Sequence, residues 1–309
     1  MSKHVICIGA ALVDELFHAT SDILMATTSD AKVTKTAGGV ARNIAHQLAL
    51  LGVPVHLMSV FGNDSDGSWL KQVCTSAGVQ LDGSVTVKGL TGKYTGILNT
   101  DGSLFTAFLT NAAIHLITPQ HLEQQKQLLQ NASYILADAN TSVESIEWLL
   151  KFSKATGIPF IIEPVSVPPA SKLKGMNMDG LYLITPNEDE LPVLCEETAP
   201  SPKKHVEELL ERGVEHVWLH NGIHGSSIIS KEKTVSLHAS LVEVVDCTGA
   251  GDGSLSGFLL GKYLGKEHVD CLKIAHTLSA EILQVNGAIA THLNREQLLS
   301  LVPKYFPES

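Results

Sequence analysis

Asp246-Cys247-Thr248-Gly249-Ala250-Gly251-Asp252 lies between a β-like segment (Leu241, Val242, Val244, Val245) and an apolar helical one (Leu255, Phe258, Leu259). This spacing predicts a strand-to-helix turn made of small residues. Amides at the start of a helix have no intrahelical acceptor, and the helix dipole adds partial positive charge there. Such a turn receives anions, phosphate above all. Asp252 closes it with a carboxylate. A phosphate would repel that group unless it is there to take a proton from an attacking hydroxyl. An anion hole beside a base is what phosphoryl transfer to an alcohol needs. The same residues also read as an ordinary Gly-rich turn with an acidic first helical turn, so the rest of the chain has to decide.

Outward from this turn, short apolar runs alternate with helical patterns. Strands are expected at 5–8, 55–60, 134–137, 160–162, 181–184, 217–219 and 226–229. Helices are expected at 41–51, 67–77, 119–130, 142–155, 203–212, 250–264 and 268–284. Continuous apolar runs of this length fit strands covered on both faces, as in a parallel sheet. The alternation predicts a layered α/β fold with right-handed crossovers. Residues 31–37 and 94–109 break the rhythm. In the second stretch two β-like runs flank Asn99-Thr100-Asp101-Gly102-Ser103, a hairpin turn signal. Such strands read either as a flap over a site or as ordinary edge hairpins. Residues 167–174 read as a short Pro/Lys loop.

The chain has 309 residues, 44% of them hydrophobic, enough for a large core. Its net charge of -10 and the lack of a basic run disfavour a nucleic-acid binder. An anionic substrate must then be held by local dipoles and a cation. The five cysteines are odd in number and form no CxxC pair. That suits reduced thiols in a cytoplasmic protein better than a disulfide framework. Cys247 reads as a small space-filler. The histidines show no HExxH, so a structural zinc site is not expected. Residues 5–13 loosely resemble a signal peptide, but Asp14-Glu15 ends the run without a cleavage site, and a buried first strand explains it better. No apolar run approaches the ~20 residues a membrane helix needs.

Further motifs are weaker singly. Gly38-Gly39 precedes a helix and would let backbone approach a ligand, with Asn43 projecting from the first turn. Asp14 follows the first strand, at the edge where ligands bind in open α/β sheets, and could accept two hydroxyls of a sugar. It also reads as a solvated loop residue. Asn187-Glu188-Asp189-Glu190 follows a strand and could hold Mg²⁺ through its waters, or simply start a helix. Gly222-Ile223-His224-Gly225 is a nucleotide-contacting turn or a plain hairpin loop. There is no GxxxxGK[ST], no GxGxxG after a strand and no GxSxG, which disfavours P-loop, Rossmann and α/β-hydrolase readings.

Together the blocks Gly38-Gly39…Asn43-x-Ala45…Leu51-Gly52, Asn187-x-x-Glu190 and Asp246-x-Thr248-Gly249-Ala250-Gly251-Asp252 resemble the ribokinase-like (PfkB) family of sugar and nucleoside kinases. The resemblance covers essentially the whole chain. It implies one ribokinase-like α/β/α domain over 1–309, with a mostly parallel central sheet and a small β lid drawn from about 12–37 and 91–111. It implies ATP-dependent phosphorylation of a primary hydroxyl. Asp252 would be the base, and Gly249, Ala250 and Gly251 the anion hole. Asp14, Gly38, Gly39 and Asn43 would grip the sugar. Asn187 and Glu190 would organise Mg²⁺ and phosphates, with Gly222 and Gly225 under the adenine-ribose side. Asp246 and Thr248 match positions that hold a monovalent cation such as K⁺ in some members.

Within the family the chain looks most like pseudouridine kinases, through Gly38-Gly39-Val40-Ala41-Arg42-Asn43, Ala137-Asp138-Ala139-Asn140 and Glu163-Pro164-Val165-Ser166. That likeness adds Asp138 and Glu163 to the substrate side, with Lys93, Tyr94 and Asn111 as lid candidates. Two positions depart from the pattern. Leu12 stands where Asn is frequent, and His220, on the nucleotide side, stands where a small hydroxyl residue is usual. The expected reaction is phosphorylation of the 5′-hydroxyl of pseudouridine. A ribokinase or another nucleoside kinase is the alternative on the same scaffold, and a non-catalytic nucleoside sensor the alternative of another class. No nucleic-acid or membrane partner is expected. A homodimer through the lid is.

Overall fold

The computed structural model describes residues 3–110, 112–196 and 201–307. In chain order the strands are β1 (His4–Ile8), β2 (Leu12–Ala19), β3 (Ala31–Gly38), β4 (Val55–Met58), β5 (Val60–Gly62), β6 (Val85–Val87), β7 (Lys93–Leu98), β8 (Leu104–Thr110), β9 (Ala132–Asp138), β10 (Phe160–Glu163), β11 (Leu183–Ile184), β12 (His216–His220), β13 (Ser226–Ile229) and β14 (Thr234–Leu237). The helices are α1 (Val40–Leu50), α2 (Ser65–Ser76), α3 (Pro119–Gln124), α4 (Lys126–Gln130), α5 (Val143–Thr156), α6 (Val167–Ser171), α7 (Glu190–Leu194), α8 (Pro202–Glu211), α9 (Ala250–Tyr263), α10 (His268–Leu283) and α11 (Arg295–Tyr305).

The central sheet has the order β14-β13-β12-β11-β10-β9-β1-β4. Its strands from β4 to β12 run parallel, and β13 and β14 close one edge as antiparallel additions. Side chains alternate across a strand, so each strand serves two cores. Val5, Cys7, Leu57, Leu136, Ile161 and Leu183 face one layer, packed with Ile44 and Leu48 of α1, Phe258 of α9 and Leu278 of α10. Ile6, Ile8, Ile135, Ile162 and Ile184 face the other, with Leu122, Ile146, Leu149 and Leu209 of α3, α5 and α8. A sheet buried on both faces is why the strands read as unbroken apolar runs. The layered α/β expectation holds.

A second, four-stranded sheet has the order β3-β2-β7-β8: β3, β7 and β8 come from the two stretches that broke the rhythm, and β2 lies outside them, within the 12–37 range that the family resemblance implied. Its outer strands β3 and β8 are largely exposed, with Leu104, Phe105, Phe108 and Leu109 of β8 open to solvent, whereas β2 and β7 are mostly half-buried.

Several local expectations are corrected. Residues 241–245 form no strand. The edge of the sheet is already taken by β14, and Leu241, Val244 and Val245 are exposed on an irregular segment that leads into α9. Cys247 is exposed as well, so it fills no core. The 55–60 run breaks at Ser59, after which β5 leaves the main sheet to pair with β6. The 119–130 helix splits at Gln125. Residues 167–171 are a helix, because Pro at the first helical turn starts a helix as readily as it marks a loop. β14 and α11 were not expected, although α11 carries a capping box between Asn294 and Gln297.

Candidate active site

The strand order reverses at β1. The chain passes through α1 to β4 on one side and later returns to β9 on the other. Open α/β sheets form a crevice at the carboxyl ends of strands beside such a switch. Here Asp138 ends β9, Glu163 ends β10 and His220 ends β12.

Asp138 is fully buried, and its carboxylate is saturated by backbone. Oδ2 accepts from Ala10 N at 2.8 Å and Ala41 N at 3.1 Å, and Oδ1 from Asn140 N at 3.0 Å. It caps α1 from 97 residues away and pins the loop after β1. A Cβ on Gly9 would lie 2.2 Å from this carboxyl, so residue 9 must be glycine. Asp138 thus braces the loop after β1 and the start of α1 beside the cleft.

Asp14 lies in β2, not in a loop after β1, and pairs with Thr36 and Tyr94 on neighbouring strands. Burial pushes its carboxyl up to about 6, against the pull of Arg42. Its oxygens have no donor among the described residues. A Cβ on Gly38 would meet Asp14 Oδ2 at 2.0 Å, and one on Gly39 (φ 95) would meet Ala10 O at 2.3 Å. The two glycines therefore let this carboxylate lie flat over the backbone at the start of α1. A half-buried carboxylate without a donor is a ready acceptor for hydroxyls.

Across from it, Asp252 sits in the first turn of α9. Its Oδ2 accepts from Asn43 Nδ2 at 2.7 Å. Burial raises its carboxyl to about 6; Asn43 and Arg42 oppose the rise, while Asp138 and Asp14 add to it. The amides of Gly249, Gly251 and Asp252 have no acceptor among the described residues, and the first internal bond of α9 is Gly253 N to Gly249 O at 2.8 Å. Gly249 is left-handed (φ 75) and wedged against Ala288, whereas a Cβ on Gly251 would meet nothing within 4 Å. The turn is thus held rigidly on one side and open on the other. That fits the oxygens of a phosphate group.

Asn187 and Glu190 cap each other. Asn187 Oδ1 accepts from the amides of Asp189 and Glu190, both at 2.9 Å, and Glu190 Oε2 accepts from Asn187 N at 3.0 Å. Burial raises the Glu190 carboxyl, against hydrogen bonds from Asn187. Its oxygen chemistry suits a hydrated Mg²⁺. Glu163 accepts from Val165 N at 2.7 Å, and burial together with Asp252, Glu190 and Asp138 pushes its carboxyl well up. Val165 itself has φ 73, a costly conformation for a β-branched residue. No sequence signal marked it.

At the end of β12, His220 N donates to Pro186 O at 3.0 Å and its ring lies 4.4 Å from that of Trp218. Burial, with His276 nearby, lowers it to about 3, so the imidazole is neutral. Gly222 and Gly225 form a tight turn between β12 and β13. Gly225 (φ 95) is obligatory, since a Cβ would lie 2.0 Å from Leu237 O. Asp246 Oδ1 accepts from Thr248 N and Oδ2 from Gly287 N, each at 2.9 Å, which ties the anion turn to the loop after α10.

Among the expected small-sheet contacts, Tyr94 shares the Asp14 face. Lys93 does not: it pairs with Glu15 at 3.3 Å and with Asp66 at 3.2 Å on the other face. Asn111 lies outside the described residues. The residue that the motif reading passed over is Arg42, which is 2% exposed and surrounded by the site.

Asp252, the unpaired amides at the start of α9 and the donor-free carboxylate of Asp14 thus stand around one α/β crevice, an arrangement suited to phosphoryl transfer to an alcohol. The pfkB family of carbohydrate kinases matches residues 2–295, and the chain belongs to that family. It is 33% identical over 276 residues to the uncharacterized sugar kinase YeiI of Escherichia coli, covering 87% of this chain and 75% of that protein. It is 28% identical to the pseudouridine kinase of Escherichia coli, covering 97% of this chain and 96% of that one. The structure of Arabidopsis thaliana ribokinase complexed with ribose and ATP superposes with a TM-score of 0.86 at 25% identity, over 98% of this chain and 99% of the other. The fold is therefore ribokinase-like, and the chain is a sugar or nucleoside kinase.

Proposed function

We propose that this kinase transfers the terminal phosphoryl group of ATP to the 5′-hydroxyl of pseudouridine. The observation that carries the kinase chemistry is the pairing of Asp252 with the free amides of Gly249, Gly251 and Asp252 itself. Near-complete coverage of a pseudouridine kinase favours the nucleoside. Ribose is the second reading, favoured by the likeness to a ribokinase that binds it. The intact base and open cradle argue for turnover over a binding-only sensor.

In this reading Asp14 accepts sugar hydroxyls over Gly38 and Gly39. Asp252 takes the proton of the 5′-hydroxyl as the oxygen–phosphorus bond forms and the bond to the leaving diphosphate breaks. The α9 amides stabilise charge on the phosphoryl in flight. Asn187 and Glu190 would hold Mg²⁺ through its waters, and the ion would screen the phosphate charge when bound. Asp246 and Thr248 are offered as a K⁺ site, and His220, Gly222 and Gly225 as the adenosine side.

The small sheet acts as a lid that excludes water from the transfer. Exposed Leu104, Phe105, Phe108 and Leu109 support pairing of two lids in a homodimer, which light scattering would read as twice the chain mass. Among the described residues no helix is long and apolar enough to cross a membrane. The five unpaired thiols support a cytoplasmic protein.

A panel of pseudouridine, uridine, adenosine and ribose with radiolabelled ATP tests the assignment. Pseudouridine 5′-phosphate should form with the highest kcat/KM. Turnover of ribose without pseudouridine overturns the nucleoside assignment.

A further inference from the structure

Arg42 is a guanidinium buried to 2% exposure in the first turn of α1, and no carboxylate lies within salt-bridge distance of it among the described residues. A lone buried charge is costly unless its surroundings use it. All of its groups are engaged. Nε donates to Gly38 O at 3.2 Å, one terminal nitrogen donates to Ala37 O and to Asn43 Oδ1, and the other meets His46 Nδ1 at 3.4 Å. Burial and the guanidinium itself lower His46 to about 4, so its ring is neutral and accepts.

The bond to Asn43 has a directional consequence. An amide side chain has an oxygen that accepts and a nitrogen that donates. With Oδ1 claimed by Arg42, Nδ2 is turned toward Asp252, where it donates at 2.7 Å. The flipped amide would set two donors against each other at Arg42 and two acceptors against each other at Asp252. The two contacts therefore enforce one orientation. They also leave Asp252 Oδ1 as the oxygen without a donor among the described residues.

We infer that Arg42 is a positioning residue for phosphoryl transfer: it locks the Asn43 amide, and through it fixes which oxygen of Asp252 faces the acceptor hydroxyl. The same guanidinium holds the carbonyls of Ala37 and Gly38, the backbone over which Asp14 lies. One buried cation thus links the sugar-side carboxylate to the base. This rests on the kinase reading above.

The test is a double-mutant cycle of R42M and N43A, read as kcat and both KM values on whichever acceptor the panel selects. R42M should lower kcat by about 10–100-fold, the scale of a misplaced catalytic group, and leave the KM for ATP within about twofold. If Arg42 acts through Asn43, the double variant is no slower than N43A alone. Additive losses, or wild-type kcat in R42M, overturn the inference.

R42K keeps the charge but not the planar fork. It is expected to show the same loss, and it replaces R42M in the cycle if R42M does not fold. The wild-type pH–kcat profile should shift in R42M. The charges facing Asp252 are Arg42 from α1, Asp14 from β2, Asp138 from β9 and Glu163 from β10, and only the first is removed.

A readout without substrate separates the two readings. The Asn43 side-chain NH₂ resonance, assigned by its loss in N43A, should be protected from exchange in the wild type and exposed in R42M or R42K. If that resonance responds while the wild type phosphorylates nothing, the kinase reading fails and the lock stands. If transfer occurs and the resonance is indifferent to residue 42, the lock fails alone.

Discussion

At the scale of single residues, burial sets the working state of two carboxyls. Asp252 and Asp14 are each raised to about 6. A base must be unprotonated, so kcat should fall as pH drops through about 6, while Asp14 makes the acceptor KM worsen over the same range. A kcat that stays flat down to pH 5 would contradict the assignment of Asp252. Asp252→Asn keeps an acceptor oxygen for Asn43 but no basic oxygen, so kcat should drop by about 10²–10⁴ with sugar affinity retained. Calorimetric titration of the variant with the acceptor checks the second half.

The stability effect runs the other way. Between the ordinary carboxyl value and about 6, the native chain holds protons that the unfolded chain has released, so these groups cost stability as pH rises through that window. Asp252→Asn should therefore melt a few degrees higher than wild type at pH 8, with the gain fading toward pH 4. Asp252 was legible because a carboxylate among glycines is chemically odd. Arg42 was not, since an arginine in a helix ordinarily reads as a solvated charge. Val165 was illegible because its strain is a property of φ and not of residue type.

At the scale of elements, α9 shows how one helix serves site and core. Gly253, Gly257 and Gly261 recur every fourth residue on its α10 side. A Cβ on Gly257 would lie 2.7 Å from Ala275 Cα, and one on Gly261 2.8 Å from Cys271 Sγ. The helices therefore pack nearly backbone to backbone, which fixes the anion turn at the head of α9. Two alanine substitutions in that turn should separate fold from function. Gly249→Ala forces a side chain into φ 75 with Ala288 Cβ 2.4 Å away, so it should lower both Tm and activity. Gly251→Ala meets nothing within 4 Å and improves helix propensity by about 0.5–1 kcal/mol, so Tm should hold or rise. Its methyl group would project into the space assigned to phosphate, and kcat/KM for ATP should fall. Equal loss of Tm in both variants would mean the turn is only structural.

The helical side of this unit was readable from periodicity. The strand before it was not, because the apolar run at 241–245 satisfies a β pattern but finds no free sheet edge. Residue patterns put Asp14 simply after the first strand, and only the family resemblance, with lid strands from about residue 12, covered its place in β2: the chain leaves the main sheet after Ile8 and re-forms in the small sheet, a switch that no local composition announces.

At the scale of the whole molecule, one carboxylate of the body meets two strands of the small sheet, besides the bonds from Arg42 to Ala37 O and Gly38 O. Asp66, in the first turn of α2, pairs with Lys35 of β3 at 2.5 Å and with Lys93 of β7 at 3.2 Å, and these lysines hold it below the usual carboxyl range. Both pairs are partly exposed, so each contributes little to global stability. Their effect should instead fall on how the small sheet sits over Asp14 and Tyr94, which it carries on its inner face. Asp66→Asn removes the charge from both pairs at once. Tm should change little, the acceptor KM should rise by about 3–10-fold and the KM for ATP should not move, because the α9 amides lie on the main body. If the small sheet closes over the site as proposed, loosening it would admit water, and ADP should form in excess of the phosphorylated acceptor. Raising salt on the wild type should reproduce part of the effect by screening the same pairs. An unchanged acceptor KM and one ADP per product in the variant would mean that the small sheet is held by its backbone connections alone.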